Sequence, residues 1–210
     1  MPAAVPETDS PSRTRILTIA RAEFADRGFD GARLADIARQ AGLSHPTLLY
    51  HFTSKAELYV AVIASAVVDW TRETEAAVSG ALEGFDQVVS IIDAGFVFFA
   101  THPDFARILR REAMDGGDRL DDAITGSLRP FLDRAVTFLE REMAAGRLRR
   151  HDPLELMQIC YGAVFTYFSD AAFRARLVGE DPLSEAALAR HRRALTGLLG
   201  AALRPDGESS

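Results

Sequence analysis

Cysteine is almost absent from this chain, because Cys160 is the only one among 210 residues. A single cysteine cannot form an internal disulfide or a multi-cysteine metal cluster, which argues against a redox protein or a structural zinc protein. Such a composition is typical of a reducing compartment. We therefore expect a cytoplasmic protein without a bound metal or other cofactor.

Long hydrophobic runs are also missing. No stretch reaches the roughly 18 uncharged apolar residues that a membrane-spanning helix needs. The first residues, MPAAVPETDSPS, are acidic and rich in Pro and Ser, whereas a secretion signal is basic and then apolar. The sequence therefore predicts neither membrane spanning nor secretion, and we expect no membrane partner.

Internal repeats and alternating strand patterns are absent as well. Apolar residues instead recur at steps of three and four, which is the period of a helix with one buried face. With 48% hydrophobic residues, the chain can bury a core in one large domain or two smaller ones. We expect an all-α protein.

Charge is distributed unevenly along the chain. The net charge is −6, but seven cations and four anions between Arg13 and Lys55 give that segment +3 and leave −9 for the rest. A basic head on an acidic body can meet phosphates locally, while the body discourages wrapping by nucleic acid.

Four helices are predicted in the basic segment and directly after it. The first begins near Ser12 and ends at Gly28, and LADIARQAG forms a second one that Gly42 ends. Ser44 caps the third, whose first turn tolerates a proline. Ser54 caps a long fourth helix that runs from position 55 to about 78.

The acidic remainder is predicted to be helical too. The predicted helices are Gln87–Thr101, Asp104–Met114, Arg119–Ala145, Asp152 to about Arg176, and Ser184 to just before Pro205. Pro130 should kink or split the third of these helices.

Two short helices joined by Gly42-Leu43-Ser44 have the length and turn chemistry of a helix-turn-helix. The fuller pattern ILTIARAEFADRGFDGARLADIARQAGLSHPTLLYHFTSKAELYVAVI closely resembles the N-terminal DNA-binding domain of TetR-family transcriptional regulators. The resemblance implies a three-helix helix-turn-helix DNA-binding domain at residues 11–71. It also implies a C-terminal helical-bundle domain at residues 80–204 that binds an effector and dimerises.

By this resemblance, the third helix is the recognition helix, and its first residues face the bases. Tyr50, His51 and Lys55 resemble positions around phosphates, and Lys55 lies beside a helix N-terminus that favours an anion. The predicted DNA-binding residues are Arg33, Ser44, His45, Pro46, Thr47, Tyr50, His51 and Lys55. The same pattern predicts that Phe24, Ile37, Ala38, Leu48 and Phe52 form the core of this domain.

Two positions depart from the family's pattern. Leu49 stands where a tyrosine is usual, so one phosphate contact is missing or is taken over by Tyr50. Arg33 stands where a threonine commonly opens the second helix; it cannot cap, at a cost of about 1 kcal/mol, but it can reach a phosphate. Asp36 in the first turn offsets part of this loss. For His51, packing at the helix end is the alternative to a DNA contact.

Catalytic and metal-binding alternatives find little support in the residues. His45 and His51 are six residues apart, which separates them by about 240° around a helix, whereas zinc-binding pairs favour a separation of four. Cys160 lies in the apolar segment LMQICYGAVFTYF and is interpreted as an inert core residue. We expect no catalytic and no metal-binding residues.

The C-terminal body is rich in phenylalanine. Large rings that share a helix face interdigitate poorly, so a bundle can retain a cavity beside them. The candidate effector-binding residues are Phe96, Phe99, Phe131, Phe138, Phe165 and Phe168. For each ring, an ordinary place in the core is the alternative.

The resemblance also implies a homodimer formed through the last two long helices. Residues 156–168 are apolar nearly all round, which suits a helix covered by its own subunit on one side and by a partner on the other. On the final helix a stripe at coiled-coil-like spacing comprises Leu188, His191, Leu195, Leu198 and Ala202. A four-helix bundle between two subunits is therefore expected, and a monomer is the alternative.

Together these features predict a homodimeric repressor that binds double-stranded operator DNA and is released by a small apolar or aromatic effector. Two other classes remain open. One is a helical adaptor that binds protein and not DNA; the other is a small helical enzyme acting on an apolar substrate. The enzyme is disfavoured because no acid, base and nucleophile converge in the sequence. Activation in place of repression also remains open.

Overall fold

The computed structural model describes residues 10–78, 82–121, 126 and 128–205. Over these residues the chain forms ten α-helices and no strand, which confirms the predicted all-α fold. In chain order the helices are α1 (Pro11–Gly31), α2 (Leu34–Gln40), α3 (His45–His51), α4 (Lys55–Val78), α5 (Gly84–Thr101), α6 (Pro103–Met114), α7 (Arg129–Ala144), α8 (Pro153–Ser169), α9 (Ala171–Val178) and α10 (Glu185–Leu203). A single 3₁₀ turn, Asp118–Leu120, follows α6.

The start of helix α1 and the break within it are both explained by single residues at those positions. Ser10 caps it, because the Ser10 hydroxyl accepts a hydrogen bond from the Arg13 amide at 3.3 Å. Gly28 breaks the helical path with φ 71°, a left-handed conformation that glycine adopts without strain. The break was predicted at this residue, although the chain then makes one further turn up to Gly31.

Helices α1 to α4 bury one face each and form the core of the N-terminal head. Its buried residues include Ile16, Ala20, Phe24, Ile37, Ala38, Leu48, Phe52 and Leu58. All five core residues expected from the family pattern are in this set. Burial of a large apolar side chain contributes about 1.5–3 kcal/mol, so the short helices are stable because they pack together.

The body is assembled around α5. This helix packs against α4, α8 and α10, and it contributes buried rings such as Phe98 and Phe99. Its length and apolar character would suffice to cross a membrane, but a core helix of this kind passes the same test. Helix α4 packs against both α1 and α5, so it connects the head with the body.

The predicted start of the first helix of the body is wrong. Helix α5 begins at Gly84, before the predicted Gln87. In the segment predicted as a helix from Arg119 to Ala145, with a kink or split at Pro130, a 3₁₀ turn covers Asp118–Leu120 and α7 begins at Arg129, directly before Pro130. Pro130 lies in the first turn of α7, where its missing amide hydrogen costs nothing. Residues 122–125 and 127 of the predicted helix lie outside the described residues.

The helix predicted to run to about Arg176 is also shorter than expected. Helix α8 ends at Ser169, and α9 is a separate helix that begins at Ala171. The Ser169 hydroxyl donates to the Asp170 carboxylate at 3.0 Å, and polar side chains of this kind favour turns over helix interiors. The predicted cap at Asp152 is confirmed, because its carboxylate accepts the amides of Leu154 and Glu155.

A buried carboxylate ties the start of α5 to the end of α7. Glu142 accepts the Gly84 amide at 2.8 Å and the Arg147 guanidinium at 2.6 Å. The hydrogen bonds from Arg147 lower the pKa of Glu142 to about 2, even though its burial acts in the opposite direction.

The boundary between the two domains stays a prediction. The first was expected at residues 11–71 and the second at 80–204, but α4 continues without interruption past position 71 to Val78. Residues 79–81 lie outside the described residues.

Candidate nucleic-acid interface and effector cavity

Helix α3 is held in place by its buried side and by its cap. Leu48 is completely buried in the head, and the Ser44 hydroxyl accepts a hydrogen bond from the Thr47 amide at 3.2 Å. The hydroxyl oxygens of Ser44 and Thr47 lie 2.7 Å apart, so the side chains at the helix start are ordered before any ligand arrives. Pro46 lies in the first turn, where it breaks no hydrogen bond of the helix.

The turn before α3 sets the angle between α2 and α3. Gly42 has φ 68°, and the Leu43 amide donates to the Ala38 carbonyl at 2.9 Å. This is the hydrogen-bond pattern of a Schellman cap, in which a left-handed residue ends the helix. The geometry confirms the helix-turn-helix predicted from the sequence.

The free face of α3 carries four of the predicted DNA-binding residues. His45, Pro46, Thr47 and Tyr50 are exposed, and the Tyr50 side chain is 81% exposed. An exposed tyrosine on a rigid helix can donate a hydrogen bond to a phosphate or lie against a sugar. This face therefore has the shape and the polar groups that a major-groove helix needs.

The other predicted DNA-binding residues have different surroundings. Arg33 is exposed at the N-cap position of α2, where its side chain makes no cap hydrogen bond. His51 is half-buried, and its ring lies 5.5 Å from that of Tyr50. Lys55 is half-buried and donates to the carbonyls of Asp30 and Ala32, at 3.3 Å each. Lys55 thus connects the start of α4 with the end of α1 and the residue after it, and its phosphate contact stays a prediction.

Two acidic residues of the head, Glu23 and Asp36, are paired with cations of the head itself. Asp36 pairs with Arg39 at 2.7 Å and lies 3.8 Å from Arg27, which also pairs with Glu23 at 3.1 Å. These pairs reduce the repulsion that carboxylates beside the recognition helix would exert on phosphates.

A buried polar contact between head and body was missed by the sequence analysis. The Glu112 side chain on α6 is 1% exposed and accepts the Tyr59 hydroxyl of α4 at 3.1 Å. It also accepts the Arg119 amide at 3.1 Å and the Arg119 guanidinium at 3.3 Å. Burial and the neighbouring Glu112 carboxylate both raise the pKa of Tyr59, so the phenol stays protonated and donates.

The ring of Phe29 continues this contact towards the DNA-binding face. Arg119 lies 4.4 Å from the centre of the ring, and Lys55 lies 4.6 Å from it. Beside them, Arg111 donates to the carbonyl of Asp26 at 3.2 Å, next to the break in α1. A cation is attracted to the π electrons of an aromatic ring, so Phe29 joins the 3₁₀ turn after α6 to the start of α4.

A half-open cavity of about 130 Å³ lies in the body between α4, α5, α7 and α8. Three of the six candidate rings, Phe99, Phe131 and Phe138, line it. Trp70 of α4 is also part of the wall and lies 4.5 Å from the ring of Phe131. Such an apolar space between helices of a bundle is a typical site for a small molecule.

The other three candidate rings lie behind the wall. Phe96 contacts Phe168 at 5.6 Å, and Phe165 contacts Phe99 at 5.8 Å, measured between ring centroids. All three are buried, and Phe165 and Phe168 pack against the lining ring of Phe99. A direct role for any of the six in ligand binding stays a prediction.

Cys160 lies in the wall of the cavity, a position its sequence surroundings did not indicate. Burial raises the pKa of its thiol to about 11, so the thiol is neutral and unreactive at neutral pH, as expected for an inert cysteine. Within the described parts of the chain, no three His, Cys, Asp or Glu side chains are grouped so that they could hold a metal ion.

Helices α8 and α10 each leave an apolar surface uncovered. Ile159 of α8 is 61% exposed and Leu198 of α10 is 72% exposed. Gly162 and Gly197 lie on the same two helices with open space beside them. Leu195, in contrast, is buried inside the subunit, so the predicted stripe on the final helix is divided between an inner and an outer face.

Comparisons with known proteins agree with both halves of this architecture. Residues 16–62 match the family described as bacterial regulatory proteins, tetR family, and residues 85–198 match the tetracyclin repressor-like C-terminal domain. The HTH-type transcriptional regulator RutR of Escherichia coli (strain K12) is 29% identical over 161 residues, which cover 75% of this chain and 74% of RutR.

Solved structures show the same fold at low sequence identity. The ketosteroid transcriptional regulator KstR2 of Mycobacterium tuberculosis has a TM-score of 0.75 and 18% identity, covering 97% of this chain and 100% of that one. AibR, solved with isovaleryl coenzyme A and operator DNA, has a TM-score of 0.72 and 14% identity, covering 90% and 97%.

The capped, exposed helix after a tight turn, carried on a helical body with its own cavity, defines a helix-turn-helix DNA-binding regulator. The match to the C-terminal family alone spans more than half of the sequence, and the chain belongs to the TetR family of transcriptional regulators. It is therefore a regulator of transcription and not an enzyme. Proteins of this family bind operator DNA and small-molecule effectors.

Proposed function

We propose that this protein is a homodimeric repressor that leaves its operator when a small apolar or aromatic effector enters the cavity. The observation that carries this proposal is the course of α4. Lys55 and Tyr59 at its start contact the head and α6, while Trp70 and Thr74 further along line the cavity. The 15 residue-to-residue steps from Lys55 to Trp70 span about 22 Å of one continuous helix.

Recognition of DNA is assigned to the exposed face of α3. His45 and Thr47 at its start can hydrogen-bond base edges in the major groove, and Tyr50 can reach a phosphate. Arg33 on the outside of α2 adds a cation for the backbone. The two recognition helices of a dimer would lie about 34 Å apart, one turn of the duplex, on a near-palindromic operator.

Dimerisation is assigned to α8 and α10. Isolated exposed apolar residues are common, but Ile159 and Leu198 lie on the two helices whose sequence also suits a four-helix interface. The open space at Gly162 and Gly197 allows the helices of two subunits to approach closely. The protein would act in the cytoplasm, in keeping with its single cysteine.

The effector would act by changing the distance between the two heads. If the cavity is larger or differently shaped in the DNA-free arrangement, an effector binds that arrangement better and weakens DNA binding. Such a coupling is typically about 1–3 kcal/mol, which is a change of roughly fivefold to 150-fold in affinity. Helix α4 contacts both sites. DNA and effector would therefore each favour a particular tilt of this helix.

Selection of bound sequences from random duplex DNA tests this function directly. We expect a two-fold symmetric consensus, with an affinity that falls steeply as salt is added. Analytical ultracentrifugation of the purified protein should show a dimer both with and without the DNA. Failure to enrich any sequence at low salt would favour the adaptor, and a promoter that needs the protein for transcription would make it an activator.

A further inference from the structure

Two arginines at the start of α1 have no carboxylate partner within the described part of the chain. Arg13 and Arg15 lie close to the beginning of this helix, whose first turn contains no acidic residue. Arg27 and Arg39 of the same head, in contrast, are paired with carboxylates at 3.1 and 2.7 Å. Arg13 and Arg15 therefore contribute their full charge to the positive surplus of the head.

Both arginines contact the helix-turn-helix. The guanidinium carbon of Arg13 lies 5.1 Å from the centre of the Phe52 ring, and Phe52 follows α3 directly. The Arg15 guanidinium donates to the Ala41 carbonyl at 3.4 Å, and Ala41 ends α2 just before the turn that leads into α3. One cation thus lies beside the end of α3, and the other lies beside the turn in front of it.

These contacts leave both guanidinium groups able to bind a further anion. Arg15 is exposed and Arg13 is half-buried. The bond to Ala41 uses one N–H donor of Arg15, and a guanidinium has several more. Glu57, the first acidic residue after α3, accepts the amide and the hydroxyl of Thr53 at 2.8 and 2.6 Å. Its carboxylate is therefore engaged by its own helix start and not by either arginine.

The length of α3 brings these cations close to the rims of a DNA groove. A helix of seven residues is about 10 Å long, and the major groove is about 12 Å wide. When α3 lies in the groove, groups beside its two ends are therefore near phosphates, which a guanidinium binds through two parallel hydrogen bonds.

We infer that the DNA-binding surface extends beyond the helix-turn-helix to the start of α1, where Arg13 and Arg15 bind phosphates beside the groove that α3 enters. This inference rests on the proposed recognition of DNA by α3. Contacts of this kind hold the protein on the duplex without reading its sequence.

Binding to short duplexes of random sequence tests the inference, because phosphate contacts do not depend on sequence. Fluorescence anisotropy measures the affinity of the full-length protein between about 50 and 200 mM salt. We expect Arg13→Met and Arg15→Met each to lower the salt slope by about one for every subunit on the DNA. Over this salt range, each lost unit of slope makes the fall in affinity about fourfold smaller. Methionine keeps an unbranched chain over Phe52 while it removes the charge.

Arg21→Met is the matched control. Arg21 lies on the same helix about 9 Å beyond Arg15 and has no carboxylate partner among the described residues. Its replacement removes the same charge and should leave the slope unchanged. Arg13→Lys should restore the slope that Arg13→Met loses, since a role in packing alone would not depend on the charge. The inference is overturned if Arg13→Met or Arg15→Met keeps the original slope, if Arg21→Met lowers it equally, or if Arg13→Lys does not restore it.

A measurement on the unaltered protein covers the case in which a variant does not fold. Phenylglyoxal modifies accessible arginines, and mass spectrometry shows which of them have reacted. The duplex should protect Arg13 and Arg15 from this reagent and leave Arg21 as reactive as before; equal modification of Arg13 and Arg15 with and without duplex overturns the inference. An unaltered protein that binds no duplex at low salt would refute the proposed function itself, whereas binding with unchanged slopes in the variants overturns only the contacts of α1.

Discussion

Replacement of Tyr59 by phenylalanine tests whether the buried contact with Glu112 holds the head on the body. The Tyr59 hydroxyl donates to a carboxylate whose side chain is 1% exposed, and the two residues are 53 positions apart in the chain. Hydrogen bonds to charged groups contribute about 1.5–3 kcal/mol. Because Arg119 continues to donate to Glu112 in the variant, we expect the lower part of that range, about 2 kcal/mol of lost unfolding free energy.

Tyr50→Phe is the matched control for this experiment. It removes the same hydroxyl group from a side chain that is 81% exposed, so its unfolding free energy should change by less than about 0.5 kcal/mol. Urea unfolding at one fixed protein concentration measures both variants, since the stability of an oligomer depends on concentration. Equal stabilities of the two variants would refute the reasoning.

Because of the Tyr59 hydroxyl, we also expect the stability of the protein to depend on pH in the alkaline range. The pKa of Tyr59 is raised in the folded protein by burial and by Glu112, whereas in the unfolded chain it is about 10. A raised folded-state pKa stabilises the protein below pH of about 10, and the contribution is lost as the pH rises beyond that value. The stability of the unaltered protein should therefore decline above about pH 10 more steeply than that of Tyr59→Phe, and parallel curves would contradict the assignment.

Other changes test the remaining parts of the structure. Thr47→Ala should relax the preference for particular bases, at a cost of about 1–3 kcal/mol in binding the best site. Lys55→Ala should weaken binding to all sequences alike and lower the salt slope of DNA affinity by about one. An unchanged slope, measured by fluorescence anisotropy, contradicts the phosphate contact of Lys55. Glu142→Gln should destabilise the protein by about 2 kcal/mol at neutral pH. The pKa of Glu142 is lowered to about 2 in the folded protein, so the unaltered protein should lose this advantage over Glu142→Gln as the pH falls from about 4 towards 2. Circular dichroism of both proteins against pH measures the loss. Equal acid sensitivity of the two proteins would show that the pair with Arg147 contributes nothing. Leu198→Glu should shift a dimer towards monomers in sedimentation, and an unaffected dimer would place the interface elsewhere.

The helix-turn-helix was predictable because its signals are local. Ser44 caps α3 through an amide three residues away, and Gly42 ends α2 in the left-handed conformation that the pattern required. Such signals act within one turn of the chain, so they can be recognised without knowledge of the fold. The body was less predictable, as the end of α8 shows. Its apolar residues continue the helical period past Ser169, while the turn at Asp170 depends on competing side-chain hydrogen bonds.

For the candidate sites, the sequence by itself determined which helix can face DNA, since the cap, the proline and the buried Leu48 leave only one free face on α3. Only the tertiary structure decided that Lys55 contacts the carbonyls of Asp30 and Ala32. It also decided that Trp70 and Cys160 share a cavity with the phenylalanines. The physical reason is distance along the chain: caps and helix faces depend on neighbours three or four residues away, whereas cavities and buried ion contacts arise where helices far apart in sequence pack together.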